Sequence, residues 1–120
     1  MVTMNDIIAF IERAMKENFN IQTFIKDYSK LEYSIEIFNN DEYLVFRAYS
    51  DSNSNHIQII KEYSNDVNIE ISDIDIALFK VEVLKAQEYS KNKVIEYFNN
   101  FFEKDSSKLT TINDLDNEDD

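Results

Sequence analysis

Residues 31–49 read LEYSIEIFNNDEYLVFRAY. Leu31, Tyr33, Ile35 and Ile37 share one side of an extended segment, and Glu32, Ser34 and Glu36 share the other. That two-residue period is the mark of a half-buried strand. A second run over 42–49 is apolar on both sides, which suits a strand in the middle of a sheet. Asn39-Asn40-Asp41 joins the two with turn-forming residues. Further on, Asp51-Ser52-Asn53-Ser54-Asn55 is a polar loop. His56 to Tyr63 then reads as a third strand, and Val67-Asn68-Ile69-Glu70-Ile71 as a fourth.

The period changes to helical at both ends. Thr3-Met4-Asn5-Asp6 fits the S/T-x-x-D/E capping pattern. Ile7, Ile8, Ile11, Ala14 and Met15 follow at helical spacing, so a helix is expected from about 4 to 18. Residues 21–28 read as a short irregular or helical link. Ser72-x-x-Asp75 is a second capping pattern. After it, Ile76, Phe79, Val83, Ala86, Ser90, Val94, Tyr97 and Phe101 recur at three- and four-residue steps. That stripe favours one long helix over 72–103. The alternation Phe79-Lys80-Val81-Glu82-Val83 leaves open a fifth strand followed by a helix from about 87. Ile74, Leu78, Val81 and Leu84 lie off the stripe, and this surplus invites a homodimer. The expected fold is α+β: an N-terminal helix, an antiparallel sheet of four or five strands, a long C-terminal helix and a disordered acidic tail. A single domain over 1–104 and a mobile tail over 105–120 are expected.

Composition alters the picture at the turns. The chain has no glycine and no proline. Ile and Asn fill 30 of its 120 positions, which points to an AT-rich genome such as that of a phage, plasmid or low-GC bacterium. Asparagine must then supply the left-handed backbone positions, at Asn39-Asn40 and at Asn18 or Asn20. Glycine-rich phosphate loops and nucleophile elbows have no residues to form them. The absence of cysteine excludes disulfides and thiolate metal sites, and a lone His56 excludes a multi-histidine centre. The run Ile7-Ile8-Ala9-Phe10-Ile11 is too short for a signal or membrane segment, so a cytoplasmic protein is expected.

Charge is segregated. Residues 1–30 are neutral, 31–75 carry net −8, 76–104 carry net +1, and 105–120 carry net −5. The acidic excess thus belongs to the sheet region and the tail. Such a field repels nucleic-acid phosphates and attracts basic protein surfaces. Glu32, Glu36 and Glu70 are expected to project from the sheet face away from the helices. Asp41 and Glu42 would sit near a strand end, with Tyr43 and Tyr49 among them. These seven residues form the candidate partner-binding surface. The bland alternative is an acidic surface that only confers solubility.

The other constellations are weak. Asp51-x-Asn53-x-Asn55 with Glu62 imitates calcium-loop spacing, but His56 stands where the turn glycine belongs, so a polar β-turn is expected. Asp73 and Asp75 read as helix-capping charges, not as an acid–base pair. No catalytic residue, metal site or cofactor is expected. In size, charge and composition the chain is similar to small acidic inhibitors of phages and mobile elements, anti-CRISPR and DNA-mimic proteins among them. That class has many folds and no shared motif, so it assigns no residue a role. The favoured reading is a non-enzymatic inhibitor that blocks a basic, nucleic-acid-binding protein. The alternative is a dimeric acidic chaperone or immunity protein that binds through apolar surface.

Overall fold

The computed structural model describes residues 2–40, 42–61 and 64–104, the side chains of 64–66 and 104 aside. The elements are α1 (Met4–Lys16), β1 (Asn20–Lys26), β2 (Glu32–Asn39), β3 (Glu42–Ser50), β4 (Asn55–Lys61), β5 (Ser64–Ile71) and α2 (Asp73–Lys104). The strands form one antiparallel meander in the order β1-β2-β3-β4-β5. The expected α+β architecture is therefore present, with five strands. Two compact units make up the chain, 1–90 and 91–120. The C-terminal tail and Asp41 lie outside the described residues.

The fifth strand is not where the alternation at 79–83 pointed. It is β1, in the segment read as an irregular link. There Ile21, Thr23 and Ile25 alternate with Gln22, Phe24 and Lys26, and Ile21 is buried. Residues 79–83 belong instead to α2, as the stripe favoured. Phe79, Val83 and Ala86 are fully buried on one side of that helix, while Val81 is half exposed on the other. Burial of the stripe in the core outweighs the β propensity of this segment.

Both helices start as their capping patterns require. Thr3 and Asp6 form a reciprocal capping box, and Ser72 Oγ accepts from the Asp75 N–H at 3.0 Å. At the other end of α1, Asn18 has φ 66°. Its N–H donates to Met15 O, and that of Phe19 donates to Ala14 O. This is a Schellman closure with asparagine in the usual glycine place. Asn40 turns the β2–β3 hairpin at φ 56°, again as expected of asparagine. Ser29, at φ 60°, takes a third left-handed position in the β1–β2 connection, which the sequence did not announce.

The core lies between the two helices and one sheet face. Met4, Ile7, Ile11 and Ala14 of α1 and Ile76, Phe79, Val83 and Ala86 of α2 meet Ile21, Tyr33, Ile35, Ile37, Phe46, Ala48 and Ile57. Phe10 adds an edge-to-face contact with Phe46, with ring centroids 5.8 Å apart. Tyr33 donates from the rim to Asp27, which also pairs with Lys80 of α2 at 2.9 Å. Burial and the Asp27 carboxylate push the Tyr33 hydroxyl up to about 12.

One charged group lies inside this layer. Glu82 is 2% exposed and faces Glu12 of α1. Lys85 Nζ lies 3.2 Å from Glu12 and 3.8 Å from Glu82 Oε1. Glu82 Oε2 has no hydrogen-bond partner among the described residues. Burial, then the hydrogen bond and charge of Glu12, push Glu82 up to about 7. The pair therefore favours sharing a proton across the helix–helix contact.

Candidate protein-binding surface

The sheet face opposite the core is built by the other strand parity. The register sets cross-strand rows on it. One row is Lys26, Glu32, Tyr49, His56 and Glu70. The next is Phe24, Ser34, Arg47, Gln58 and Asn68. A third begins Gln22, Glu36, Val45 and Ile60, and Phe38 stands opposite Tyr43 beyond it. The face therefore mixes charge with aromatic and aliphatic surface.

Its centre is a fixed network around Arg47. The guanidinium Nε donates to Glu32 at 2.7 Å and one terminal nitrogen to Gln58 Oε1 at 2.7 Å. The same group lies 4.5 Å from the centroid of the Tyr49 ring, a cation–π distance. Tyr49 stacks on His56 with centroids 5.2 Å apart, and its hydroxyl accepts from Asn68. His56 in turn meets Asp51 and Ser54. Side chains held in this way lose little freedom when a partner docks, which favours tight recognition.

The candidate residues do not all meet. Glu32, Tyr49 and Glu70 share one row, and Glu36 lies two rows away. Tyr43 sits toward the opposite end of the sheet, opposite Phe38. Glu42 has the parity of Leu44 and Phe46, so it falls on the helix-covered side. There it lines a groove with Phe10, Phe19, Tyr43 and Lys61. Glu32 is half buried and engaged by Arg47, so it is not an open carboxylate. Arg47 went unread as a site residue. The hairpin register, which sets Ser34 against Arg47 and Glu32 against Tyr49, could have found it.

The polar loop closes β3 and β4 as a turn. Asp51 Oδ1 accepts from the N–H groups of Asn53 and Ser54 and from Ser54 Oγ. The backbone donors, Asn53 first, hold the Asp51 carboxyl below its ordinary value. Asn55 is taken up by Ser50 and Asp73. The calcium-like spacing thus serves turn hydrogen bonds, and its last member, Glu62, lies outside the described residues. Among the described residues no cluster of three potential metal ligands occurs, and no helix is long and apolar enough to cross a membrane.

A second surface lies on α2, turned from the core. Ile74 is 71% exposed, Val81 51% and Leu84 45%, with Leu78 beside them. No family model, curated protein or solved structure matches the chain.

Proposed function

We propose that this chain is a non-enzymatic binding protein whose open sheet face docks on a basic protein and inhibits it. The observation that carries the reading is the Arg47–Tyr49 network on a sheet face away from the helical core. Tyrosine and arginine are favoured anchors of protein interfaces. Phe24, Phe38 and Val45 supply apolar contact around them. Glu36 and Glu70, with a net charge of −12 over the chain, select a basic partner and speed its approach. Proteins that bind nucleic acid carry basic surfaces against the phosphates, so the mode of inhibition in this reading is competition with nucleic acid. The protein itself does not bind nucleic acid.

The test uses two variants as bait in lysate from the source organism. Glu36→Lys with Glu70→Lys reverses the carboxylates that Arg47 does not engage. Adding Glu32→Lys also opens the central network. Exposed substitutions of this kind cost within about 0.5 kcal/mol each, so the double variant should melt like the parent. A basic protein held by the parent at about 50 mM salt should leave at about 300 mM. Its association with the double variant should slow by about tenfold or more. The same proteins retained by both variants at both salts would remove the sheet face from the mechanism.

The exposed Ile74, Leu78, Val81 and Leu84 favour a second reading, a dimeric chaperone or immunity protein. Its partner would be held through apolar surface and would resist salt.

A further inference from the structure

We infer that β5 pairs edge to edge with β5 of a second copy, antiparallel and centred on Ile69, so that two sheets become one. This goes beyond the sheet-face reading and does not depend on it. The meander leaves two edge strands, β1 and β5, and they are not alike. On β1 the Ile21 carbonyl accepts from Ser90 Oγ at 2.6 Å, and the Phe19 carbonyl just before the strand accepts from the Tyr89 hydroxyl. The helix α2 thus guards that edge. On β5 no hydrogen bond among the described residues reaches the backbone on the side away from β4. Such an unpaired row of N–H and C=O groups is a template for another strand. Its regular part is Val67 to Ile71, which pairs residue for residue with Ile59 to Asn55; past Ile59 the register slips at a bulge. Val67, Ile69 and Ile71 have the parity of the helix-covered face and are only half buried. Asn68 and Glu70 are exposed on the open face.

This stretch carries its own complement. Two antiparallel edges related by a two-fold axis set one residue opposite itself. Centring on Ile69 uses the whole regular stretch. Ile69 then meets Ile69, Val67 meets Ile71 twice, and Asn68 meets Glu70 twice. Moving the centre to Glu70 sets Glu70 on Glu70, and moving it to Asn68 sets Glu70 on Asp66. Like charges directly opposite are destabilising. With Ile69 at the centre, each Glu70 carboxylate meets an amide instead. Asn68 Nδ2 gives one hydrogen to the Tyr49 hydroxyl at 3.3 Å, and its second is free for Glu70 of the other copy. Glu70 takes part in no ion pair among the described residues of one chain. The contact is isologous, so it closes at two copies. Both open faces lie on the same side of the joined sheet, and the two Arg47–Tyr49 networks share one continuous surface.

The experiment is sedimentation equilibrium of the full chain from about 1 to 200 μM, with no partner added. A species of twice the 14.2 kDa chain mass is expected. Asn68→Glu sets like charges opposite each other at both symmetric positions and should raise the dissociation constant by roughly tenfold or more. Asn68→Lys makes opposite-charge pairs at the same positions and should lower it. Gln22→Glu and Gln22→Lys alter the net charge equally, but on the guarded edge strand, and should leave it unchanged. The chain has no cysteine, so the register can be read by oxidation. Asn68→Cys and Glu70→Cys chains mixed together should give the mixed disulfide dimer, while neither alone should cross-link. A parent that stays monomeric at about 200 μM, a dimer that responds to charge at Gln22 as much as at Asn68, or cross-linking of Asn68→Cys to itself would each overturn the pairing. Because no partner is present, failure of the sheet-face reading would leave every one of these results unchanged.

Discussion

Glu82→Gln is expected to stabilise the protein at pH 8.5 and to leave it nearly unchanged at pH 5. In the folded chain the buried Glu82 keeps its proton up to about pH 7, whereas its ordinary value is 4.5. A carboxyl raised by folding contributes stability that is fully present below the unfolded value. That contribution is lost as pH climbs through the folded value. Glu12 moves the other way. Its hydrogen bond from Glu82, then the Lys85 ammonium, hold it below its ordinary range. Its contribution is present above the unfolded value and is lost on acidification. The two windows meet near pH 5, where one proton serves both groups. Above pH 7 both are ionised against one Lys85, with Glu82 out of water. Glutamine keeps a donor for Glu12 at every pH and never ionises. The parent should therefore lose about 2–3 kcal/mol against the variant between pH 5 and 8.5. Urea unfolding at the two pH values measures this directly. Parallel stability curves for parent and variant would mean that Glu82 is ionised in the fold throughout.

Phe79→Ala should cost about 3–5 kcal/mol, a large part of the 5–15 kcal/mol that holds a typical domain together. Phe79 is fully buried among residues of both helices and the sheet. The alanine would leave a cavity where several elements meet. Val81→Ala, two residues on, should cost within about 0.5 kcal/mol when measured on dilute, monomeric protein. In a strand the two side chains would share a face and their losses would be alike. On a helix they diverge by about 200°. Thermal melts of the two variants at about 1 μM give the comparison. A loss for Val81→Ala close to that for Phe79→Ala would contradict the helix.

Much of this fold was legible because its periods are clean. The alternation of Leu31 to Ile37 and the caps at Thr3 and Ser72 each demand one geometry, and the stripe from Ile76 favoured the helix over the strand that the alternation of Phe79 to Val83 left open. Asparagine at 18 and 40 was legible for a different reason: without glycine, little else tolerates positive φ. Two things stayed hidden. The strand at 20–26 alternates, but Asn18 and Asn20 beside it read as a loop, and only pairing with β2 makes Ile21 an inward residue. The character of the open face was also hidden. Summed charge says that residues 31–75 are acidic, but not that Arg47 stands among them and engages Glu32. That depends on register, which joins residues fifteen apart. Glu42 shows the same limit. Its charge suggests a seat on the open face with Glu36 and Glu70, while the pleat turns it to the helix-covered side.

The meander has a kinetic consequence. Every strand pairs with the one before or after it in the chain, so each ladder closes only a short loop, and short loops form quickly. With no proline in the sequence, the slow isomerisation that delays many refolding reactions has no bond to act on. Refolding from urea should lack any phase of tens of seconds, as stopped-flow fluorescence of the tyrosines would record. The slowest event left to the first unit is the closing of α2 over a sheet that α1 already partly covers. During synthesis that helix is the last element of the first unit to leave the ribosome. Until residues 76–86 emerge, Ile35, Ile57 and their neighbours have only α1 to cover them. The nascent chain is most prone to aggregate in that interval.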